Sequence, residues 1–513
     1  MLSFGPLSSF PISAPTMPAI PPAPSPVYFA DRAWTTEPDD EVLPNRFWQP
    51  RLGAFNMERT LPLSPFDDRR ALMQAGEIAF INTDNKLDYM LDLPIDGKKI
   101  EVMIGAPGMR LNQFKTIFTG IGSGWRSGTD GMLYATPRDL TWELSAPAQT
   151  NLFAGTGGLE GTAELAHRPK PLWFGPRRDV PLTMVDEVLL IHQAHDGPMK
   201  EISAVSDKAL PLTYDGDVVD IEAAPAPPAG HYITELKRGY VRLGQAPVGV
   251  LTATGKGDNS NGIYVETISD IIFRLLHDRA GWPDSRFNMA KFRKLKLLQP
   301  GAVGIHTTIE IVTLEDLIDR LCNTDDAWFE VSPVGRFGLG RIGKPTDEPV
   351  AYFDDRHIRQ VTALDPPETI SPAFWNVKVG AQECCWDFRG EYAAGIPSDR
   401  RQFVSQKYRY PEPSIAGDVR ARHPQAKTVE LPSLFDNLDD AKYRQDRLLA
   451  MHADRARTLR IDFFGQAYGI ELGDTVHIKH RGKELNDGRR CVVFGWGGRT
   501  QSHQTYLLVR WWP

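Results

Sequence analysis

From Gly76 onward, polar and apolar residues alternate in short runs. Glu77-Ile78-Ala79-Phe80-Ile81, Lys99-Ile100-Glu101-Val102-Met103-Ile104 and Thr116-Ile117-Phe118-Thr119-Gly120 favour strands, and turn residues such as Asn82-Thr83-Asp84-Asn85, Asp96-Gly97 and Ala106-Pro107-Gly108 bound them. Roughly a dozen residues separate neighbouring runs, too few to place a helix between strands, so a barrel or sandwich is expected in place of βαβ units. A parallel nucleotide-binding sheet is disfavoured. The C-terminal end of the chain repeats this pattern, since Asp474 to His480, Arg490 to Gly495 and Thr505 to Trp512 alternate at period two, with Gly473-Asp474 and Asn486-Asp487-Gly488 as turns. In the last run Leu507, Val509 and Trp511 form the more apolar set and are expected to pack inward, with Tyr506, Leu508 and Arg510 on the other side.

Helical periodicity is confined to the middle and to one later segment. Thr267 opens a T-x-x-D cap before Ile268, Ile271, Ile272, Leu275 and Leu276, and Thr313 does the same before Leu314, Leu317, Ile318 and Leu321. These predict a small α+β domain. A more charged helix is expected over about Asp439 to Arg457, covering a sheet and leading into Leu459-Arg460-Ile461-Asp462-Phe463. The Pro-rich stretch Ala223 to Gly230 reads as a connector, with a domain or subdomain edge nearby.

Composition narrows the class. A chain of 513 residues is longer than one core organises, so several domains are expected. A 41% hydrophobic and 24% charged composition with net charge −7 argues against disorder and against a dedicated, sequence-specific nucleic-acid binder. The 44 Gly and 41 Pro imply many turns between short segments, which fits the mainly β reading. Four cysteines, Cys322, Cys384, Cys385 and Cys491, form neither a disulfide framework nor a zinc knuckle, consistent with assembly in a reducing cytoplasm. Met1 to Tyr28 has no basic n-region, and its eight prolines interrupt any run that could insert in a membrane; a polyproline-II arm without a membrane anchor is expected, either flexible or strapped onto a neighbouring subunit.

Candidate chemistry is sparse. Gly155-Thr156-Gly157-Gly158-Leu159-Glu160-Gly161 lacks the Walker Lys-Ser/Thr pair and the Rossmann spacing, and neither a G-x-S-x-G elbow nor an H-E-x-x-H helix occurs. His192/His195 and His477/His480 are H-x-x-H pairs in strand-like runs, where residues three apart face opposite ways, which disfavours a shared metal. The acid pairs Asp39-Asp40, Asp67-Asp68, Asp325-Asp326 and Asp354-Asp355 read as caps or solvated bends, and Cys384-Cys385 as buried thiols without the spacing of an iron–sulfur ligand set. Lys291-Phe292-Arg293-Lys294-Leu295-Lys296-Leu297 is the one strong basic run, read as an edge strand or helix face, or as a contact for an acidic neighbouring subunit. No catalytic, cofactor or metal residue is assigned, and the chain is expected not to be an enzyme.

The order of several phrases is more informative. Trp34-Thr35-Thr36 with Glu37-Pro38-Asp39-Asp40, then Gly76-Glu77-Ile78, Asn82, Leu87-Asp88 and Asp96-Gly97-Lys98-Lys99, continue into Gly157-Gly158-Leu159-Glu160-Gly161, Arg168-Pro169-Lys170-Pro171-Leu172-Trp173-Phe174-Gly175, His195-Asp196-Gly197-Pro198, Arg242-Leu243-Gly244 and Leu472-Gly473-Asp474-Thr475-Val476. This collinear set resembles the tail hub or baseplate hub proteins of phages and prophages of proteobacteria, over almost the whole chain after the Pro-rich arm.

The resemblance implies a homotrimeric ring at the virion tail tip, assembled in the host cytoplasm, with two barrel-like tube domains per subunit giving near-sixfold symmetry from three copies. It implies as partners the distal tail protein ring, the tape-measure protein and a central fibre or spike protein. The division expected is a Pro-rich arm (1–28), a first tube-type β-domain (29–150), a β-rich inserted domain (151–260), a small α+β domain (261–350) and a second tube-type β-domain with a surface helix (351–513). No lytic or receptor-binding module is expected beyond the last strand-like run, and those functions are expected on separate chains. The alternative is a receptor-binding or carbohydrate-active tail protein.

Overall fold

The computed structural model describes residues 26–345, 347–371, 373–454, 456–465, 467, 469–499 and 504–512; the Pro-rich arm up to Ser25 lies outside them. Strand makes up 36% and helix 19%, in several sheets, so the chain adopts the mainly β, multidomain fold with an α+β part that its alternation predicts.

The largest sheet closes on itself. Its strands run in the order Ala351–Phe353, Thr475–Ile478, Arg489–Arg499, Gln504–Trp511, Arg457–Phe463, Ile358–Leu364. The first and last are joined by only the four residues between Phe353 and Ile358, so strands at opposite ends of the hydrogen-bonded order are neighbours in the chain and the sheet must curl into a barrel. Next to this loop the two ladders run one rung further, the Lys479 amide donating to the Phe353 carbonyl at 2.9 Å and the Phe464 amide to the His357 carbonyl at 3.0 Å.

The N-terminal chain is sewn into this C-terminal sheet. Thr475–Ile478 pairs with only the first part of Arg489–Arg499; beyond a bulge between Val493 and Gly495, the same edge takes Asn56–Thr60, with Thr60 opposite Gly495 and Asn56 opposite Arg499. Leu72–Ala75 then pairs with Asn56–Thr60. A second, antiparallel sheet of Ile78–Ile81, Met132–Arg138, Lys115–Ser127 and Lys99–Ile104 packs against it. One core joins the two: Phe55, Ile78, Phe118 and Leu133 meet Ile461, Val476, Val493, Trp496, Leu507, Val509 and Trp511. The middle strand runs seven residues beyond the predicted Gly120 because it is bulged between Gly122 and Gly124, and at Gly120 a Cβ would lie 2.2 Å from the Arg138 carbonyl oxygen.

Leu507, Val509 and Trp511 do point inward. The other face of that strand is covered as well: Leu508 is 9% and Arg510 4% exposed, and Leu508 packs with Leu61, Trp328, Leu472 and Phe494 where the helical part lies against the barrel.

Residues 176–258 form a four-stranded and a five-stranded sheet around Trp173, Val180, Ile202, Val205, Tyr232, Val241 and Leu251. The Pro-rich stretch Ala223 to Gly230 connects two strands of the five-stranded sheet. It crosses between Thr213–Asp217 and His231–Glu235, which pair in parallel, and Arg242 Nη1 anchors it through the carbonyls of Ile221 and Ala224. A parallel pair needs a crossover, and here an irregular Pro-rich one supplies it.

The helical core contains Ile268–Phe273, Met289–Leu298 and Leu314–Asn323 with the hairpin Ala327–Val331/Phe337–Arg341. The predicted caps form: the Asp270 amide donates to Thr267 Oγ1, and Thr313 with Asp316 makes a capping box. Phe374, Val377, Val429, Ala441 and Leu448, from farther along the chain, share this core. They belong to Phe374–Val379, Lys427–Leu431 and the helix Leu438–His452, whose N-cap is Asn437. That helix stops short of the predicted Arg457 because Arg457 opens the next strand.

Candidate functional site

The sequence candidates scatter. His192 lies in Ile191–Gln193, buried, with burial pushing its imidazole down to about 4. His195 is past the strand end and fully buried. Its Nδ1 accepts the Trp173 amide at 2.9 Å and its Nε2 lies 3.3 Å from Asp258 Oδ2, so the pair supports no common ion. His477 packs on Tyr352, and His480 contacts Asp355. Among the described residues no group of three or more His, Cys, Asp or Glu side chains is placed to hold a metal. Burial raises the Cys384 thiol to about 12 and that of Cys385 to about 11, and Cys384 Sγ faces Asp179 Oδ2 at 3.6 Å. The basic run is the helix Met289–Leu298, and three of its cations are spoken for: Lys291 by Glu330, Lys294 by Asp347 and Lys296 by Asp270.

Three acid pairs cap or bend as expected; Asp40 accepts the Val42 and Leu43 amides, for example. Asp325-Asp326 does not. Both are almost fully buried, and arginines surround them: Arg444 Nη2 is 2.7 Å from Asp326 Oδ1, Arg447 Nη2 is 2.8 Å from Asp325 Oδ1 and from Asp326 Oδ2, and Arg341 Nη1 is 3.1 Å from Asp325 Oδ2. Burial pushes the Asp326 carboxyl up, and the adjacent guanidinium charges overcome it and hold it well below the usual range. Sequence spacing could not reveal this node, because Arg444 and Arg447 lie more than a hundred residues away.

Similar nodes lie at the other junctions. Glu330 bridges Arg59 of the barrel to Lys291, which is 2.7 Å from Glu330 Oε1. Arg177 meets Glu383, whose Oε1 accepts from Tyr408 at 3.0 Å. Asp258 takes Arg274 Nη1 at 2.7 Å; Arg274 lies on the π-helical turn Arg274–Arg279 that continues Ile268–Phe273. Each carboxylate is saturated by cations or donors, an arrangement suited to fixing one unit against another and not to moving protons.

A large concavity among the described residues, about 630 Å³, lies on the barrel face between Leu72–Ala75 and Ile358–Leu364. Glu58, Gln74, Arg359, Arg460, Asp462 and Tyr506 line it, and none of its described lining residues is Cys or His. The Arg460 guanidinium stacks 3.7 Å from the Tyr506 ring centroid and pairs with Asp462 at 3.0 Å. Among the described strands Leu72–Ala75 pairs with Asn56–Thr60 alone, so its other backbone edge borders this groove.

No family model matches the chain, and no curated protein does. Among solved structures, a tail protein from Neisseria meningitidis MC58 is similar at TM-score 0.40 and 12% identity, with 90% of this chain and 92% of that one covered. The 43 kDa tail protein of prophage MuSo2 from Shewanella oneidensis gives 0.37 and 7%, with 90% and 93% covered. A type VI secretion system component of E. coli, described as structurally similar to the T4 bacteriophage tail proteins gp27 and gp5, gives 0.30 and 6%, with 90% and 74% covered. These neighbours are thus tail proteins, one of them from a prophage, and a secretion component described as similar to bacteriophage tail proteins.

Proposed function

We propose that this chain is a structural hub of a phage tail tip or baseplate that works by assembly and not by catalysis. The observation that carries the reading is the pairing of Asn56–Thr60 with Arg489–Arg499, which puts β-sheets from both ends of one chain around a single core. With the collinear phrases of the sequence, this supports a subunit presenting two β-walls at a fixed angle. Three such subunits offer six near-equivalent surfaces to a hexameric tube while keeping a threefold tip. In this reading the homotrimer stacks beneath the distal tail protein ring, closes the tube, holds the end of the tape-measure protein and carries a central fibre or spike. The buried ion-pair nodes keep the walls, the inserted β-domain and the α+β domain in register.

The test is stoichiometry in the assembled particle: a reconstruction of the tail with three copies in a ring at the tip is expected. Six copies, or none in the virion, overturns the reading. A glycan-binding or glycan-cleaving tail protein is the second reading, and the groove favours it, since Glu58, Gln74 and Arg359 line it as polar groups for a sugar. Release of reducing sugar from host polysaccharide by the purified chain would establish that reading in place of the first.

A further inference from the structure

One sheet edge of the C-terminal barrel stays open, among the described residues, beside the concavity of about 630 Å³. Six strands line that concavity in hydrogen-bonded order: Leu72–Ala75, Asn56–Thr60, Arg489–Arg499, Gln504–Trp511, Arg457–Phe463 and Ile358–Leu364. The sheet therefore bends around a trough, with Leu72–Ala75 as one lip and Ile358–Leu364 as the other. Register shows which backbone groups of the first lip are free. The Gly76 amide donates to the Asn56 carbonyl at 2.8 Å, one rung beyond Met57 opposite Ala75. Hydrogen bonds in an antiparallel pair fall on every second rung, so Gln74 bonds Glu58 and Leu72 bonds Thr60. The amides and carbonyls of Met73 and Ala75 point away from that pair, and no described strand takes them. Two residues before Met73 the same side is in use, where the Ala71 amide donates to the Phe329 carbonyl at 2.8 Å.

Open edges are commonly kept from pairing by charged side chains or proline. The edge strand Lys99–Ile104 carries Lys99 and Glu101, but Leu72-Met73-Gln74-Ala75 has neither charge nor proline. The trough beside it is positive in a chain of net charge −7. Arg359, Arg460 and Arg499 line it against Glu58 and Asp462. Arg460 takes Asp462 at 3.0 Å, while Arg359 and Arg499, both exposed, pair with no carboxylate among the described residues.

We propose that Leu72–Ala75 docks an extended acidic segment of a partner chain, which adds a strand to the barrel and sets its carboxylates against Arg359 and Arg499. Main-chain bonds to Met73 and Ala75 supply the register, and the arginines select the charge. Alternate side chains of such a segment face the trough, so a carboxylate at every second position meets them. Docking at this lip needs one copy of the chain, so it neither rests on the threefold ring nor fails with it.

The experiment titrates the full chain into dye-labelled peptides of alternating valine and glutamate, or of alternating valine and lysine, and follows anisotropy and amide hydrogen exchange. Saturable binding of the glutamate peptide is expected, at least about tenfold tighter than the lysine peptide and weaker in salt, with slowed exchange of the Met73 and Ala75 amides. Ala75→Pro removes one outward amide and none of the ladder to Asn56–Thr60, and should weaken binding about fivefold. Arg359→Glu and Arg499→Glu change exposed side chains and should each weaken it about threefold, which keeps the test open where Ala75→Pro fails to fold. No saturable binding, equal affinity for the two peptides, undiminished binding by a folded Ala75→Pro or by both arginine variants, or unchanged exchange at Met73 and Ala75 would each overturn the proposal. Binding of host polysaccharide but of neither peptide would give the trough to a glycan and overturn it as well.

Discussion

Glu330 is the most exacting test of the idea that buried ion pairs hold this molecule in register. It is 3% exposed, with Arg59 on one carboxylate oxygen and Lys291 on the other, so it links barrel, hairpin and helix. Burial pushes its carboxyl up, but the Arg59 and Lys291 charges prevail and keep it ionised. Glu330→Gln keeps the shape and removes the charge, leaving the 5%-exposed Arg59 with only Glu471, at 3.3 Å and half exposed. Breaking a buried pair from one side costs about 3–5 kcal/mol, and the surviving Glu471 contact places the loss near 3 kcal/mol. For units of this size that is a fall of roughly 6–12 °C in Tm, readable by calorimetry and as a shifted urea midpoint. Replacing Arg59, Lys291 and Glu330 together by Met should restore stability to within about 1 kcal/mol, because no buried unpaired charge then remains and Glu471 is half exposed to water. A loss below about 1 kcal/mol for Glu330→Gln, or a triple variant less stable than the single one, would refute the reasoning.

Removing Leu507 to Pro513 deletes three inward side chains exposed by no more than 1% and the ladder to two neighbouring strands; at about 1.5–3 kcal/mol for each buried side chain, the barrel should unfold, seen as lost near-UV dichroism and rapid proteolysis, and native-like resistance would contradict the fold. His192 and His452 have folded pKa values near 4 and near 3, below the ordinary 6.5, so the stability they contribute is complete above pH 6.5 and lost as pH falls toward those values. Each should cost up to about 1.4 kcal/mol per pH unit there, and His192→Gln should flatten the decline; a Tm unchanged from pH 7 to pH 5 would exclude this. Deleting Met1 to Ser25 should leave the Tm of the purified chain unchanged, since so Pro-rich a segment can contribute little ladder hydrogen bonding, and a large drop would show that it packs on the core.

How much the sequence settled follows from the range of the forces involved. Period-two runs located the strands at both ends, two threonine caps located the helices that begin at Ile268 and Leu314, and the apolar parity of Leu507, Val509 and Trp511 chose their inward face, because alternation and capping act within a few residues. What the chain builds from those pieces was not legible. Asn56–Thr60 joins a strand more than four hundred residues later, and Phe374 and Val429 enter a helical core begun near Ile268, because pairing and burial select partners by shape and area with no regard for distance along the chain. The same holds for charge: Asp325-Asp326 looks like any polar turn until Arg341, Arg444 and Arg447 are brought to it, and Arg510 looks like an exposed residue of an alternating strand until the helix Leu438–His452 closes over it. A side chain's polarity is written in the sequence, but whether it meets water, a partner or nothing depends on what the tertiary structure lays across it.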